Sequence, residues 1–373
     1  MALVADLSLR NIIRMPTYGA AAWLIATLIF MLPSVEAQQV NPEDSQHVAP
    51  LFASHAPLQV SIEAPLTTLM RDRPEKEYLD GTFSFTGNDG VEHTFDLKIR
   101  TRGKYRRQEN HCDFAPIRLN FRKKQVVDTV FAGQDKLKLV THCQNNFSRY
   151  EQLVLREYLA YRFLNVMTIK SYGVRLLQIN YVDSEGTKPL TKFGFVIEDE
   201  DDAVERNGMY AIKSGYISGN DLDPMQQNLV HVFQYMIGNT EYSLLRAEPD
   251  EYCCHNIDMM SATKGIPFTP LAYDFDFAGI VNAPYAEPNP RYKLRTVRQR
   301  LYKGLCKNND LLPGTFQQFL DNKGAIYGVV DDLVMLSDAS RRYVTDYLDD
   351  FYDQISQPKT VDAKFVGKCD DSF

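Results

Sequence analysis

Tryptophan is almost missing from this sequence: among 373 residues only Trp23 carries an indole, and it falls inside an amino-terminal leader pattern. Histidine is sparse too, seven residues scattered along the chain, so no His-rich ligand set accompanies any pair of acids. That places a metal-dependent hydrolase built on Asp274 and Asp276 last among the enzyme classes. There is no excess of positive charge, with 41 Lys plus Arg against 48 Asp plus Glu and a formal charge of −7, which argues against a general nucleic-acid binder. The chain also lacks an internal repeat and any glycine-rich phosphate loop of the P-loop or Rossmann kind. After Leu32 no apolar run is long enough to span a bilayer. The remainder, 44% apolar and 24% charged with 20 Gly and 18 Pro, is ordinary globular composition and excludes low-complexity, collagenous and multispan classes.

What is present begins with the leader. Arg10 and Arg14 precede an apolar run from Ala20 to Leu32, followed by Val35-Glu36-Ala37, the layout of a secretory signal peptide cut after Ala37. At about 1.5 Å per residue the run spans roughly 20 Å, short of a bilayer core of about 30 Å, so cleavage is expected and a retained anchor is the alternative. The expected product is secreted or periplasmic, with no membrane span after cleavage. Export gives the six cysteines a meaning, since an even count in an oxidising compartment points to disulfides. Cys112 and Cys143, at strand ends flanking one hairpin-like unit, are expected to pair. Cys253, Cys254, Cys306 and Cys369 remain. Adjacent cysteines in Cys253-Cys254-His255 lack the spacing of a structural zinc site, which favours disulfide chemistry there.

Residues 38–57 are polar and aperiodic and read as a flexible entry segment. Period-two runs then start at Leu58, Gly81, Thr94, Ile117 and Lys136, and with the turn signal at Asn88-Asp89-Gly90 they predict an antiparallel sheet with one covered face. From Ser148 to Val166 the period becomes helical, with Ser148 as cap and Glu151 three residues on, giving one amphipathic helix. Strands over 173–183 and 193–198 follow, joined by a turn at Ser184-Glu185-Gly186. Helical segments are expected over 224–237, 313–320, 327–336 and 340–352. The reading is an α+β chain of two lobes, a strand-rich one over 58–200 and a mostly helical one over 201–373.

The strongest local chemical signal is Tyr273-Asp274-Phe275-Asp276-Phe277-Ala278-Gly279. An extended backbone there would send both acids to one face, where a hard cation such as Mg²⁺ takes one or two carboxylates. Upstream lie Glu241 in Asn239-Thr240-Glu241 and Asn256 after Cys253-Cys254-His255. An acid to orient a hydroxyl, then an Asn and an Asp to bind metal, is the minimal set for moving a phosphoryl group. A basic run, Arg291, Lys293, Arg295, Arg298, Arg300 and Lys303, follows; it reads as a solvated helix face, with recruitment of an acidic or phosphorylated substrate as the alternative.

Several stretches taken in order carry a resemblance: Arg100-Thr101-Arg102-Gly103, Lys136-Leu137-Lys138-Leu139, Arg156-Glu157-Tyr158-Leu159-Ala160, Gly194-Phe195-Val196-Ile197-Glu198 and Asp274-Phe275-Asp276. Over about Ile62 to Gly279 the chain resembles the CotH family of spore-coat-type atypical protein-kinase-like proteins. The resemblance implies a bilobal kinase-like fold with an antiparallel-sheet N-lobe, one main helix and a mostly helical C-lobe. It also implies binding of ATP and Mg²⁺ and transfer of the γ-phosphate to a hydroxyl on exported or envelope proteins. Carried over, Asn256, Asp274 and Asp276 are expected at the metal, and Glu198 and Asp199 where backbone meets adenine. Lys138 is expected on the phosphates with Glu157 as its carboxylate partner, Lys136 and Arg118 being alternatives to Lys138. The catalytic pair would be Glu241 and Asp274. The family pattern has Asp where this chain has Glu241, and the step from Glu241 to Asn256 is longer; Asp250 and Glu251 are alternative acids. A catalytically degenerate secreted nucleotide- or protein-binding module is the alternative function.

Overall fold

The computed structural model describes residues 48–371, apart from 88, 89, 187 and 248–251. The leader, the Asn88-Asp89 turn signal and the alternative acids Asp250 and Glu251 lie outside the described residues. Ten strands and eight helices are described. In chain order they are β1 (Leu58–Ala64), α1 (Leu66–Asp72), β2 (Leu79–Thr86), β3 (Glu92–Thr101), β4 (Ile117–Phe121), β5 (Lys136–Val140), α2 (Ser148–Met167), β6 (Val174–Asp183), β7 (Leu190–Ile197), α3 (Glu200–Arg206) and β8 (Tyr210–Ile212). Then come α4 (Pro224–Ile237), β9 (Ile257–Ser261), β10 (Thr269–Ala272), α5 (Leu312–Asp321), α6 (Lys323–Asp332), α7 (Asp338–Ile355) and α8 (Pro358–Lys364).

The first seven strands close into a mixed barrel in the order β1-β2-β3-β4-β5-β7-β6. This overturns the expected bilobal kinase-like fold with an antiparallel-sheet N-lobe. The reason lies in β1, which pairs antiparallel with β2 and parallel with β6, Val60 opposite Ile179. The strand that would have been a sheet edge has a partner on each side, and the edge disappears. Period-two alternation still does its work. Ile62, Phe83, Phe95, Leu97, Ile99, Leu119, Leu139 and Ile179 turn inward and form one core, where Phe83, Phe121 and Phe131 meet edge to face or tilted.

Helix α2 joins this barrel to the rest. It is buried around most of its circumference, with Leu155, Leu159 and Phe163 accompanied by Glu157, Tyr161 and Arg162, so it is a central helix and not the expected amphipathic one. Tyr158 and Tyr161 pack on Phe195 of β7 from one side, and Tyr161 meets Phe275 from the other. Ser148 is the first helical residue and does not cap; Phe147 precedes it with no side-chain cap. Glu151 instead takes Lys192 at 2.9 Å and the Phe193 N–H at 3.2 Å, tying the helix to β7. A second, three-stranded sheet, β10-β9-β8, and helices α4 to α8 share the core on the far side of α2.

All six cysteines are paired: Cys112 with Cys143, Cys253 with its neighbour Cys254, and Cys306 with Cys369. The Cys253–Cys254 bond displaces the metal reading of that cluster. Among the described residues no helix is long and apolar enough to cross a membrane. The basic stretch 291–303 is turn and loop, not helix; Arg300 packs its guanidinium on the Asp350 carboxylate and Lys303 points inward.

Candidate functional site

The hairpin β9–β10 brings distant polar residues together. Ile257 pairs with Ala272, so Asn256 enters the hairpin opposite the point where Tyr273 leaves it, and the Tyr273 N–H donates to the Asn256 carbonyl at 3.1 Å. Asn256 and Asp274 both have left-handed backbone, φ 54° and 59°. Asn and Asp tolerate that region better than other side chains, yet its use on both arms of one hairpin is the kind of local cost found at functional sites. The left-handed turn at Asp274 also corrects the expected extended strand over 273–277. Phe275 inserts into the core against Tyr161 and Phe233, and the two acids separate in level. Asp274 stays half-buried, its N–H donating to the Tyr161 hydroxyl at 2.8 Å, while Asp276 is drawn inward.

Asp276 meets a cation that the residue pattern did not single out. Arg106 places Nε 3.3 Å from Asp276 and Nη1 3.6 Å from Glu157, all three side chains being buried, and the Tyr285 hydroxyl donates to Asp276 at 3.2 Å. Burial pushes the Glu157 and Asp276 carboxyls upward while Arg106 pulls both down. One guanidinium is thus shared by two buried acids, and Glu157 Oε1 has no hydrogen-bond partner. Burial disfavours charge on Arg106, but Tyr285, Glu157 and Asp276 outweigh it and hold the guanidinium firmly charged.

The barrel supplies the other cations. Arg118 and Lys138 face each other across β4 and β5, Arg118 reaches Asp199 at 3.6 Å, and Arg102 follows β3 within electrostatic range of Asp274, Arg106 and Arg118. Lys138 makes no ion pair within 4 Å among the described residues. Its ammonium lies over the rings of Tyr273 and Tyr172, 5.1 and 5.8 Å from the centroids. Burial lowers its pKa, and the neighbouring Arg102 and Arg118 add to that while Asp258 and Asp199 oppose it. Asp258 accepts from the Tyr172 hydroxyl. Glu157, expected to partner Lys138, takes Arg106 instead, and Lys136 is exposed.

Two expected residues have structural employment. Glu198 is buried, receives the Gly173 N–H at 2.7 Å and forms a two-pronged pair with Arg206 at 2.8 and 2.9 Å. Asp199 caps α3 through the Asp201 N–H. Glu241 is placed by α4, which stops at Gly238 (φ 67°) and turns the chain into Asn239-Thr240-Glu241. Its backbone carbonyl accepts from Asn256 Nδ2 at 2.7 Å, which leaves the Asn256 amide oxygen to face elsewhere. Its carboxylate takes His255 at 3.3 Å and Asn289 at 3.2 Å, and the His255 bond holds the pKa below the usual range. Lys303 lies beside it, donating to the Thr240 and Tyr242 carbonyls, and burial pushes its pKa down to about 7.

The arrangement therefore has two sides. Arg102, Arg118 and Lys138 come from the barrel; Asn256, Asp258, Asp274 and Asp276 come from the hairpin; Arg106 and Glu157 lie between. Cations facing acids across a junction can hold an anion that itself carries a divalent metal. Arg102 lies in the Arg100–Gly103 stretch and Arg106 just beyond it; the clustering of Arg100, Arg102, Arg106 and Arg107 in an acidic chain was the signal available for them. No family model matches this chain, and no curated protein matches it by sequence.

Proposed function

We propose that this chain binds ATP with Mg²⁺ at the junction of barrel and hairpin and transfers the γ-phosphoryl group to a hydroxyl of an exported protein. The observation that supports it is the meeting of barrel cations and hairpin acids: Arg102 lies within electrostatic range of Asp274, Arg118 and Lys138, and Lys138 lies over the ring of Tyr273, which bonds the Asn256 carbonyl and precedes Asp274. The donors left for a hard divalent ion are the Asp274 carboxylate and the Asn256 amide oxygen, oxygen ligands of the kind Mg²⁺ takes while water and phosphate oxygens complete its shell. Asp274 with Asn256 would hold the ion, and Asp276, already bound to Arg106 and Tyr285, would support them. When bound, the metal neutralises charge that develops on the transferring phosphoryl oxygens.

The chain's own residues do the rest by position and charge. Lys138 and Arg102 bind phosphate oxygens, and Arg118 reinforces them from the next strand. Lys138 sits in a desolvated place, where its charge acts more strongly than in water. Glu241 orients the acceptor hydroxyl. A carboxylate with a lowered pKa is a weak base, but phosphoryl transfer asks mainly for positioning. The leader pattern supports an exported acceptor.

A second reading has its own observation. Glu241 is engaged by His255 and Asn289, which favours a nucleotide-binding module without turnover. Incubation of the chain with γ-labelled ATP, Mg²⁺ and candidate envelope proteins separates the two. Label transferred by the wild type and lost in Asp274→Ala supports the kinase. Saturable nucleotide binding without transfer leaves the binding module, and neither transfer nor binding overturns both.

A further inference from the structure

Asn289 links Glu241 to an exposed run of cations. Its Nδ2 donates to Glu241 Oε2 at 3.2 Å and its Oδ1 accepts the Arg291 N–H at 3.1 Å, so one amide group joins the two. Tyr292 adds a second anchor. Its ring centroid lies 5.0 Å from the Lys303 ammonium, which donates to the Thr240 and Tyr242 carbonyls on either side of Glu241. The place of residues 289–292 is therefore tied to the turn that carries Glu241, whose side chain keeps 31% of its surface open.

The basic run divides by employment. Arg300 takes Asp350, Lys303 turns inward, and Arg298 lies over the Tyr343 ring. Arg291, Lys293 and Arg295 are exposed, and among the described residues none of them has an ion pair within 4 Å. They alternate with Tyr292 and Leu294, which are half-buried and hold the run down. Glu287 is the one acid over 280–303, and it pairs with none of the three. In a chain with a formal charge of −7 this makes a local positive field, one amide group away from Glu241.

We propose that Arg291, Lys293 and Arg295 dock an acidic segment of the acceptor protein, so that the hydroxyl to be modified lies in a run of Asp and Glu. The inference rests on the reading of Glu241 as the acid that orients the acceptor, and it gives that reading a substrate class. An extended polypeptide advances about 3.3 Å per residue, so the near neighbours of a hydroxyl at Glu241 come within reach of these long side chains. Guanidinium and ammonium groups take carboxylates through charge-assisted hydrogen bonds. An anionic lipid surface fits less well, since segments that bind membranes insert large apolar side chains, and none is exposed over 287–303.

Fluorescence anisotropy of the full chain at low ionic strength, without nucleotide, tests the docking apart from any transfer. The probes are two fluorescein-labelled peptides, a Ser flanked by Asp and Glu and the same Ser flanked by Asn and Gln, with phosphatidylcholine vesicles containing phosphatidylglycerol as a third arm. The acidic peptide is expected to bind saturably and about tenfold more tightly than the neutral one, and Arg291→Gln/Lys293→Gln/Arg295→Gln to remove that preference. Lys123→Gln/Lys124→Gln, which discharges two exposed lysines of the barrel, should leave it unchanged. Equal binding of both peptides, a preference that survives the triple variant, or vesicle binding in place of peptide binding overturns the proposal. The same peptides with γ-labelled ATP then separate the two claims. A preference lost in the triple variant without transfer to either peptide keeps the docking surface and removes the kinase, whereas transfer to both peptides alike does the reverse.

Discussion

Asn256 and Asp274 stand at the two open ends of one hairpin, each in left-handed backbone, and the chain between them carries all of β9 and β10. The hairpin therefore sets their spacing, and a change in its register would move both. Asp274→Asn removes a charge without removing the shape or the N–H bond to Tyr161. Phosphoryl transfer is expected to fall by about a hundredfold or more if charge neutralisation at this position supports the reaction. Urea unfolding of the same variant should stay within about 1 kcal/mol of wild type, since a half-buried acid without a close ion pair contributes little to stability.

Arg106 is the opposite case. Its loss leaves Glu157 and Asp276 buried without their shared cation, and breaking such a pair costs about 3 to 5 kcal/mol. Arg106→Met should lower the urea midpoint accordingly. Adding Glu157→Gln to Arg106→Met should recover part of the loss, because one stranded acid is then neutral. A double variant no more stable than Arg106→Met would show that Glu157 is protonated already.

Acid should weaken the fold through His231. It is fully buried against Tyr242, and burial holds its pKa down to about 3, against about 6.5 in an unfolded chain. The folded state keeps the ring neutral while the unfolded state takes up the proton, so this contribution is complete above pH 6.5 and is lost as pH falls toward 3. Between pH 7 and pH 5 the loss from this residue alone is about 2 kcal/mol. His142, pushed down to about 4 by burial, acts in the same direction. Denaturant titrations at pH 7 and pH 5 should show a smaller difference in His231→Gln than in wild type.

Removing the Cys112–Cys143 crosslink, which closes a loop with a sequence separation of 31, should cost about 3 to 4 kcal/mol on the loop-entropy account. Paired serine substitutions compared by urea unfolding measure it. An unchanged midpoint would mean that the loop is already held by its other contacts, such as the Phe114 to Cys143 backbone bond.

Much of the fold was legible because alternation and helical spacing are local. The strands beginning near Leu58, Gly81, Thr94, Ile117 and Lys136 and the helices at Ser148 and Pro224 sit where the pattern put them, within a few residues. Closure of the barrel was not legible. Alternation tells which face of β1 is buried but not that its second neighbour is β6, more than a hundred residues later. Helix α2 misled for a related reason: Glu157 and Arg162 look like a solvent face until the barrel and the helical half cover them. At the site, Asn256, Asp274 and Asp276 were readable as residue types. Their partners were not, since Arg102 and Arg106 lie in or beside a loop whose path follows from barrel closure.

A crystal structure of the chain with Mg²⁺ and a non-hydrolysable ATP analogue tests the central claim most directly. The account predicts phosphates on Lys138 and Arg102 with the metal on Asp274 and the Asn256 amide oxygen. Nucleotide bound elsewhere, or crystals saturated with it that leave Lys138 and Asp274 untouched, would contradict it.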